Sequence, residues 1–443
     1  MLPRRVLAIS SVALALGAAS LHDAAAEPKR PVPDYDGLGN RDAHPSHPVL
    51  WIPRVVLFPL RIVHDYLIRK PLGALVKTAE RKHWISKLHD AFTFGPNAKD
   101  FIVPTVLYEF GFKPSVGVLL GLRDFGADGN AVSLHGATWG PSWLGATLVD
   151  RYTKPGSRTT VGLFAQAVRR PDFVFVAIGP DGHNDLESRF GRTRFDGNLS
   201  LTRAFGTLSY AALTAGAQRT SFHEGGCCTD PSLDDQIAAG IQTAPPGYGV
   251  TYSDAYQRLD LALDSRSPLP APGSGAYVHA HGQTAFDPGH DRSWVDYGGD
   301  VGAAVDLDGF QRVVRLGVAV DFVDPIKGDV PFDQLAMPGG DMMPGFRDGW
   351  LLGRSIAAAQ IAYTWPIWMW VDGELRFTTG NAFGEHLDTL APSKFRFSGE
   401  IGMTSNGTRN RGFELIFGLG TETVEQGGSI DSVRIALRTR VGL

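Results

Sequence analysis

Cysteine is nearly absent from this chain: there are two in 443 residues, Cys227 and Cys228, and they are adjacent, so no set of long-range disulfides staples the fold. Beyond residue 26 no stretch holds the 18 or more consecutive apolar residues that a membrane-spanning helix needs. A large charge of either sign is missing as well. The formal net charge of -4 gives no electrostatic case for nucleic acid as a partner. Hydrolytic signatures are also lacking, with neither a G-x-S-x-G nucleophile elbow nor an H-E-x-x-H zinc helix. Among 13 histidines and many serines, candidates such as His279 and Ser267 have no spacing that singles them out. The expectation is a protein that is not an enzyme and carries no cofactor and no metal motif.

What is present is glycine, 53 residues against a usual share of roughly 7%, and a clear change of pattern along the chain. Residues 1–26 have a basic start at Arg4 and Arg5, the apolar run "VLAISSVALALGAA" and the small end Ala24-Ala25-Ala26, the pattern of a secretory signal peptide. Residues 27–48 are rich in proline, aspartate and histidine and read as an extended lead. From 49 to 94, Leu67, Leu72, Leu75 and Val76 stand at helical spacing, Pro53, Pro59 and Pro71 divide the stretch, and cations such as Arg69, Lys70, Lys77 and Arg81 run through it. Residues 27–100 are therefore expected to be a periplasmic lead with short amphipathic helices, packed on the following domain or lying against an anionic surface.

From 101 to 443 the apolar period is two. In "AYQRLDLALD", Leu259, Leu261 and Leu263 oppose Arg258, Asp260 and Asp264; in "SVRIALRTRVGL", Val433, Ile435 and Leu437 oppose Arg434, Arg438 and Arg440. Many segments run 10 to 14 residues, longer than the usual strand of about five or six, and they tile more than 300 residues. Tilted strands of about 9 to 11 residues span a bilayer, and closure removes the unpaired edges that hydrocarbon penalises. The spacing predicts an all-β chain: a 16-stranded antiparallel transmembrane β-barrel, with strands near 101–109, 114–125, 130–140, 142–153, 158–169, 190–204, 206–222, 252–266, 274–287, 292–307, 309–324, 354–368, 369–382, 393–406, 410–423 and 430–443. The segment "DFVFVAIG" (172–179) competes with 101–109 for a place in that count. Long connections at 170–189, 223–251, 325–353 and 383–392 fall on one side, the outer one, and short turns on the other.

One long connection, "AMPGGDMMPGFRDGW" (336–350), precedes the last five strands. With "SIAAAQIAYTWPIW", the "ALDSRSPLPAPGSG" strand end, "VAIGPDGHND" and an apolar C-terminal residue, it resembles the barrel half of the BamA/TamA outer-membrane family, also called the bacterial surface antigen family. The resemblance covers about 101–443. It implies a barrel that inserts proteins into the outer membrane or moves them across it, and an outer loop after strand eleven that folds back into the lumen. That loop carries a motif of hydrophobic residue, Arg, Gly and aromatic, whose arginine pairs with an acid on the barrel wall.

Here Met343, Pro344, Gly345 and Phe346 occupy the motif, so Gly345 and Phe346 match while Pro344 replaces the arginine. Gly339 and Gly340 precede it. In "RFTTGNAF" Thr378 stands where the acid is expected. Arg347 follows the motif, and Asp372, Glu374 and Glu400 share the inner face with Thr378, so a substitute clamp of Arg347 with Glu374 or Glu400 is expected. Residues 27–100 show no three-strand alternation, so the periplasmic polypeptide-binding module of the family is expected to be missing.

Cys227 and Cys228, near His223, Glu224 and Asp230, are open to three readings: a vicinal disulfide, a metal site, or two lightly packed thiols. Tyr363, Trp365, Trp368 and Trp370, with Met369, suit an aromatic belt at the membrane interface, with a ligand platform as the alternative. The expected function is assistance to insertion or transport of protein or lipid at the outer membrane by a monomer. Its expected partners are outer-membrane lipid and an unfolded barrel protein or lipid client. A passive structural or permeability barrel and an outer-membrane enzyme are the alternatives.

Overall fold

A computed structural model describes residues 90–266, 273–307, 311–340, 342–368, 371–405 and 414–438, with scattered positions between 66 and 87. The expected signal peptide (1–26) and the expected extended lead (27–48) lie outside the described residues. So does most of 49–89, where Lys82 N–H donates to the Thr78 carbonyl at 3.0 Å, a helical bond.

Sixteen long strands form one closed antiparallel sheet. They are β1 (Asp100–Glu109), β2 (Ser115–Arg123), β3 (Asn130–Thr138), β4 (Leu144–Thr153), β5 (Thr159–Phe175), β6 (Ser188–Ala204), β7 (Tyr210–Glu224) and β8 (Tyr252–Asp264). The second half comprises β9 (Gly275–Asp287), β10 (Arg292–Asp306), β11 (Val313–Lys327), β12 (Ser355–Trp368), β13 (Val371–Phe383), β14 (Arg396–Ser405), β15 (Glu414–Thr421) and β16 (Ile430–Arg438). Each strand pairs with the next. The described part of β16 closes on β1 through Ala436↔Glu109 and Leu437↔Tyr108, and Phe110 N–H donates to the Ile435 carbonyl at 2.9 Å.

The alternation is inside out for a water-soluble protein. On β8, Leu259 is 57% exposed while its neighbour Asp260 is 1% exposed. Leu199, Val301, Leu316 and Val433 likewise face outward on other strands, and Asp196, Asp296, Glu374 and Arg434 face the lumen. An apolar belt around a polar interior is stable only with hydrocarbon outside, so the barrel crosses a membrane. Tyr363 and Trp365 stack on the outer face of β12 with ring centroids 5.5 Å apart, Trp365 lying over Gly373. The side chain of Trp368, and Met369 and Trp370, lie outside the described residues.

Strand boundaries follow the expected ones to within a few residues, with one correction. The fifth strand does not stop at 169. It continues to Phe175 past a bulge between Arg170 and Phe173, so "DFVF" prolongs β5 and competes with nothing. Pro171 has no N–H to give the ladder, and the bulge is where the ladder does without it. Long connections (176–187, 225–251, 328–354 and 384–395) gather at one end, called the loop end below, and short turns such as 124–129, 154–158 and 205–209 at the other. Under the loop end lies an apolar cluster that includes Phe175, Phe190, Phe332, Phe346 and Trp350.

Candidate functional site

The connection from β11 to β12 leaves the wall at the loop end, passes under the aromatic cluster and descends along the inner face of β14 and β15. Within it the chain bonds to itself. Gly340 N–H donates to the Phe346 carbonyl, Met343 N–H to Pro338 and Phe346 N–H to Met343, at 2.9, 2.9 and 3.0 Å. A loop buried in a lumen must satisfy its own peptide groups, and this one does so by curling on Gly339 and Gly340, the latter at φ +82°. Returning outward, Leu351–Leu352 forms a short parallel ladder with Ala177–Ile178 of the β5–β6 connection.

At the tip the loop backbone lies directly on the wall. Gly345 N–H donates to Ser398 Oγ at 2.8 Å, and Ser398 is the cross-strand partner of Thr378. A Cβ on Gly345 would lie 2.2 Å from the Leu419 carbonyl oxygen, and one on Gly420 would lie 2.5 Å from the Phe346 ring. Only glycines admit that approach, which accounts for the "GLG" in β15. Gly345→Ala is expected to lift the tip at an overpacking cost of about 1–3 kcal/mol. The check is proteolytic cleavage after Arg347 in the intact barrel, faster in the variant than in the parent.

The tip thus reaches the row of Thr378 and Ser398, neither of which carries a charge. Thr378 is 1% exposed and its hydroxyl has no hydrogen-bond partner among the described residues. Instead the cation stands on the wall. Arg396 of β14, fully buried, donates from Nη1 to the Thr421 carbonyl (3.1 Å) and Asp431 Oδ2 (3.3 Å), and from Nη2 to the carbonyls of Pro180 and Gly182. Its guanidinium carbon lies 4.9 Å from the Trp350 ring centre and 5.9 Å from that of Phe346, so it holds the loop by its aromatic faces.

Arg347 does not pair with Glu374 or Glu400. Its Nη1 meets Glu187 Oε1 at 2.5 Å, and Glu187 is shared with Arg189 (2.9 Å), which also binds Asp230 at 2.6 Å. Arg347 is on the returning limb, above the tip. Glu374 lies four residues deeper along β13 than Thr378, about 13 Å at strand rise. It is engaged by Arg315 (2.8 Å) and Arg376 (2.6 Å), while Arg376 Nη1 also lies 3.8 Å from Glu400 Oε2. Asp372 is deeper still and buried on the same inner face.

A third clasp joins loop and closure. Arg434 of β16 is 1% exposed; its Nε donates to Glu109 Oε1 of β1 at 2.6 Å, and its Nη1 to the carbonyls of Gly340 (3.2 Å) and Pro344 (3.4 Å). Pro344, at the position where the resemblance leads to an expected arginine, contributes its carbonyl. Arg396, Arg434, Glu109 and Glu187 were not singled out by the sequence. The signal available was an arginine on the inner face of each of two strands flanking the expected site.

Above the membrane, the 180s connection is tied to those after β13 and β15. His183 Nε2 lies 2.8 Å from Glu422 Oε1, and Lys394 Nζ lies 2.7 Å from Asp181 and 3.2 Å from Glu425. The Ser429 hydroxyl and the His183 ring hold the Glu422 carboxyl below its ordinary value of 4.5. A depressed carboxylate contributes its stability above the unfolded pKa and loses it as pH falls through the folded one. Lowering pH from about 6 to about 3 should therefore reduce the protection of amides at 180–186 and 422–429, taken relative to the intrinsic exchange rate at each pH, before it affects the strands. Equal protection at both values would contradict the tie.

Cys227 and Cys228 are joined by a disulfide, which leaves no thiolate for a metal, and Asp230 is taken by Arg189. His279 lies in the lumen 3.2 Å from Asp300 and 3.6 Å from Asp260; Ser267 lies outside the described residues.

No known family model matches the chain, and no curated protein matches it. Among solved structures it is similar to BamA from Haemophilus ducreyi lacking POTRA domains 1-3, at 13% identity and a TM-score of 0.53, over 77% of this chain and 70% of that one. It is also similar to CdiB from Acinetobacter baumannii, at 11% identity and a TM-score of 0.47, over 77% of this chain and 60% of that one. The likeness to the first is one of fold, and the chain is a closed sixteen-stranded barrel of the architecture seen in that BamA structure.

Proposed function

We propose that this chain is a bacterial outer-membrane barrel that assists insertion or transport of protein or lipid by coupling its lumen loop to the closure between β16 and β1. The observation that carries this reading is the Arg434 clasp. One buried side chain bonds the first strand through Glu109 and the lumen loop through Gly340 and Pro344, so a displacement of the loop is felt at the closure. A closure that opens would offer unpaired strand edges to a client strand, the mode of recognition known as β-augmentation. The long connections then face outward and the N-terminal segment faces the periplasm. The barrel acts as a monomer, with outer-membrane lipid around it and an unfolded barrel protein or lipid as client.

A second reading, a passive structural barrel, is favoured by a different observation. The loop is held by three separate arginines, Arg347, Arg396 and Arg434, all largely buried, which suits a permanent plug. Reconstitution in liposomes separates the two. The active reading expects faster insertion of an unfolded barrel client, lost when a disulfide is engineered between the register partners Tyr108 and Leu437 as Tyr108→Cys with Leu437→Cys. Insertion no faster than in empty liposomes would leave the passive reading.

A further inference from the structure

We propose a site for a divalent first-row transition-metal ion on the lumen wall, formed by His281, Asp296 and Asp321. The three side chains come from neighbouring strands, β9, β10 and β11, and their donor atoms all lie within 4.8 Å of one another. In the ladder His281 stands opposite Gly298, and Gly298 opposite Asp321. The glycine lets the outer two meet across the strand between them, since a Cβ there would lie 2.7 Å from Asp321 Oδ1. Asp296, two residues along β10, closes the triangle.

The spacing itself points to an ion. His281 Nε2 is 3.2 Å from Asp321 Oδ1 and 3.4 Å from Asp296 Oδ1. Charge-assisted N–H···O bonds shorten to about 2.7–2.9 Å, and both of these hydrogen bonds are longer than that. Donors about 2.0–2.2 Å from a tetrahedral zinc-class ion stand roughly 3.4 Å apart, close to the two histidine–aspartate separations, and all three donor atoms fall within 4.8 Å of one another. A single N–H on Nε2 cannot point at both oxygens, whereas a cation between the three serves all of them. The two carboxylates are 8% and 4% exposed, and buried carboxylates this close favour a cation or proton between them. Imidazole with two carboxylates suits zinc, manganese, iron, cobalt or nickel better than magnesium or calcium, which take oxygen donors. His281 keeps 12% exposure toward the lumen, on the side where a fourth ligand would be water. His279, with Asp300 and Asp260 around it, borders the site and adds negative potential.

At the loop end His183, Glu422 and Asp431 also converge, beside Arg396 and Ser429, and that trio provides a control. The test uses the full barrel, refolded in detergent, stripped with chelator and titrated with zinc by calorimetry, then with cobalt to read the visible bands of a tetrahedral ion. The expected result is one equivalent of zinc in the parent and in His183→Ala, with none in His281→Ala. Asp321→Asn should weaken binding by more than the roughly 10–100-fold typical of losing an outer partner. Heat-modified gel mobility verifies folding; if His281→Ala fails to fold, Asp321→Asn decides. No zinc uptake by the parent, or parent-like uptake by a folded ligand variant, would overturn the site.

Discussion

Arg434→Ala is expected to destabilise the barrel by roughly 3–5 kcal/mol, the cost of breaking a buried ion pair from one side. The variant leaves Glu109 buried to about nine-tenths with its guanidinium partner gone, and it strips the Gly340 and Pro344 carbonyls of a donor. The loss should show as a lower urea midpoint for the heat-modified gel shift. Arg434→Lys keeps a charge for Glu109 and gives up the fork that reaches the loop, so it should recover part of the loss. Because the side chain spans β16, β1 and the loop, the effect should exceed that of removing any rim pair, such as Lys99 with Asp124, whose side chains are 48% and 35% exposed. A midpoint within about 0.5 kcal/mol of the parent would mean that the closure does not depend on the clasp.

The second large effect is expected at Glu187. This carboxylate is shared by Arg347 from the lumen loop and Arg189 from the start of β6, and the Arg189 side chain is fully buried. Glu187→Ala leaves Arg189 with the Asp230 carboxylate and the Asp172 carbonyl, and Arg347 beside the Phe112 ring, whose centre is 5.8 Å from its guanidinium carbon. The cost is again expected at roughly 3–5 kcal/mol, with Glu187→Gln milder because it still accepts a hydrogen bond. Adding Arg347→Ala to Glu187→Ala should restore part of the stability, since the unpaired cation is removed with its anion. A coupling of about 1–3 kcal/mol in the double-mutant cycle would fit the pair. Strict additivity would show that the two residues do not meet.

How far the sequence carried this picture depended on which forces acted locally. Period two is a property of adjacent residues, so the strands, their number and their lumen faces could be read from runs such as "AYQRLDLALD". The descent of "GGDMMPGFRDGW" into the barrel was expected from the resemblance alone, through the match at Gly345 and Phe346, and the structure seats those two residues against Gly418 and Gly420. The end of β5 was placed at 169, six residues short, because the bulge between Arg170 and Phe173 is a tertiary accommodation with no local signature. The pairing of Arg347 was misread for a related reason. Its carboxylate lies 160 residues earlier in sequence, and the depth of the loop decides which wall residues it can reach. Arg396 and Arg434 were visible as inward-facing arginines, yet nothing in the sequence tells which of several inward charges meets a loop and which meets another wall residue.

The central claim is that the lumen loop and the strand closure are one mechanical unit. Amide hydrogen exchange of the reconstituted barrel, followed by mass spectrometry on peptides covering 338–350 and 101–112, tests it most directly. In the parent both peptides should be protected, and in Arg434→Ala both should exchange faster by similar factors while β6 to β10 keep their protection. A loop peptide that already exchanges at solvent rates in the parent, or one that stays protected while the closure peptide alone is released, would contradict the account.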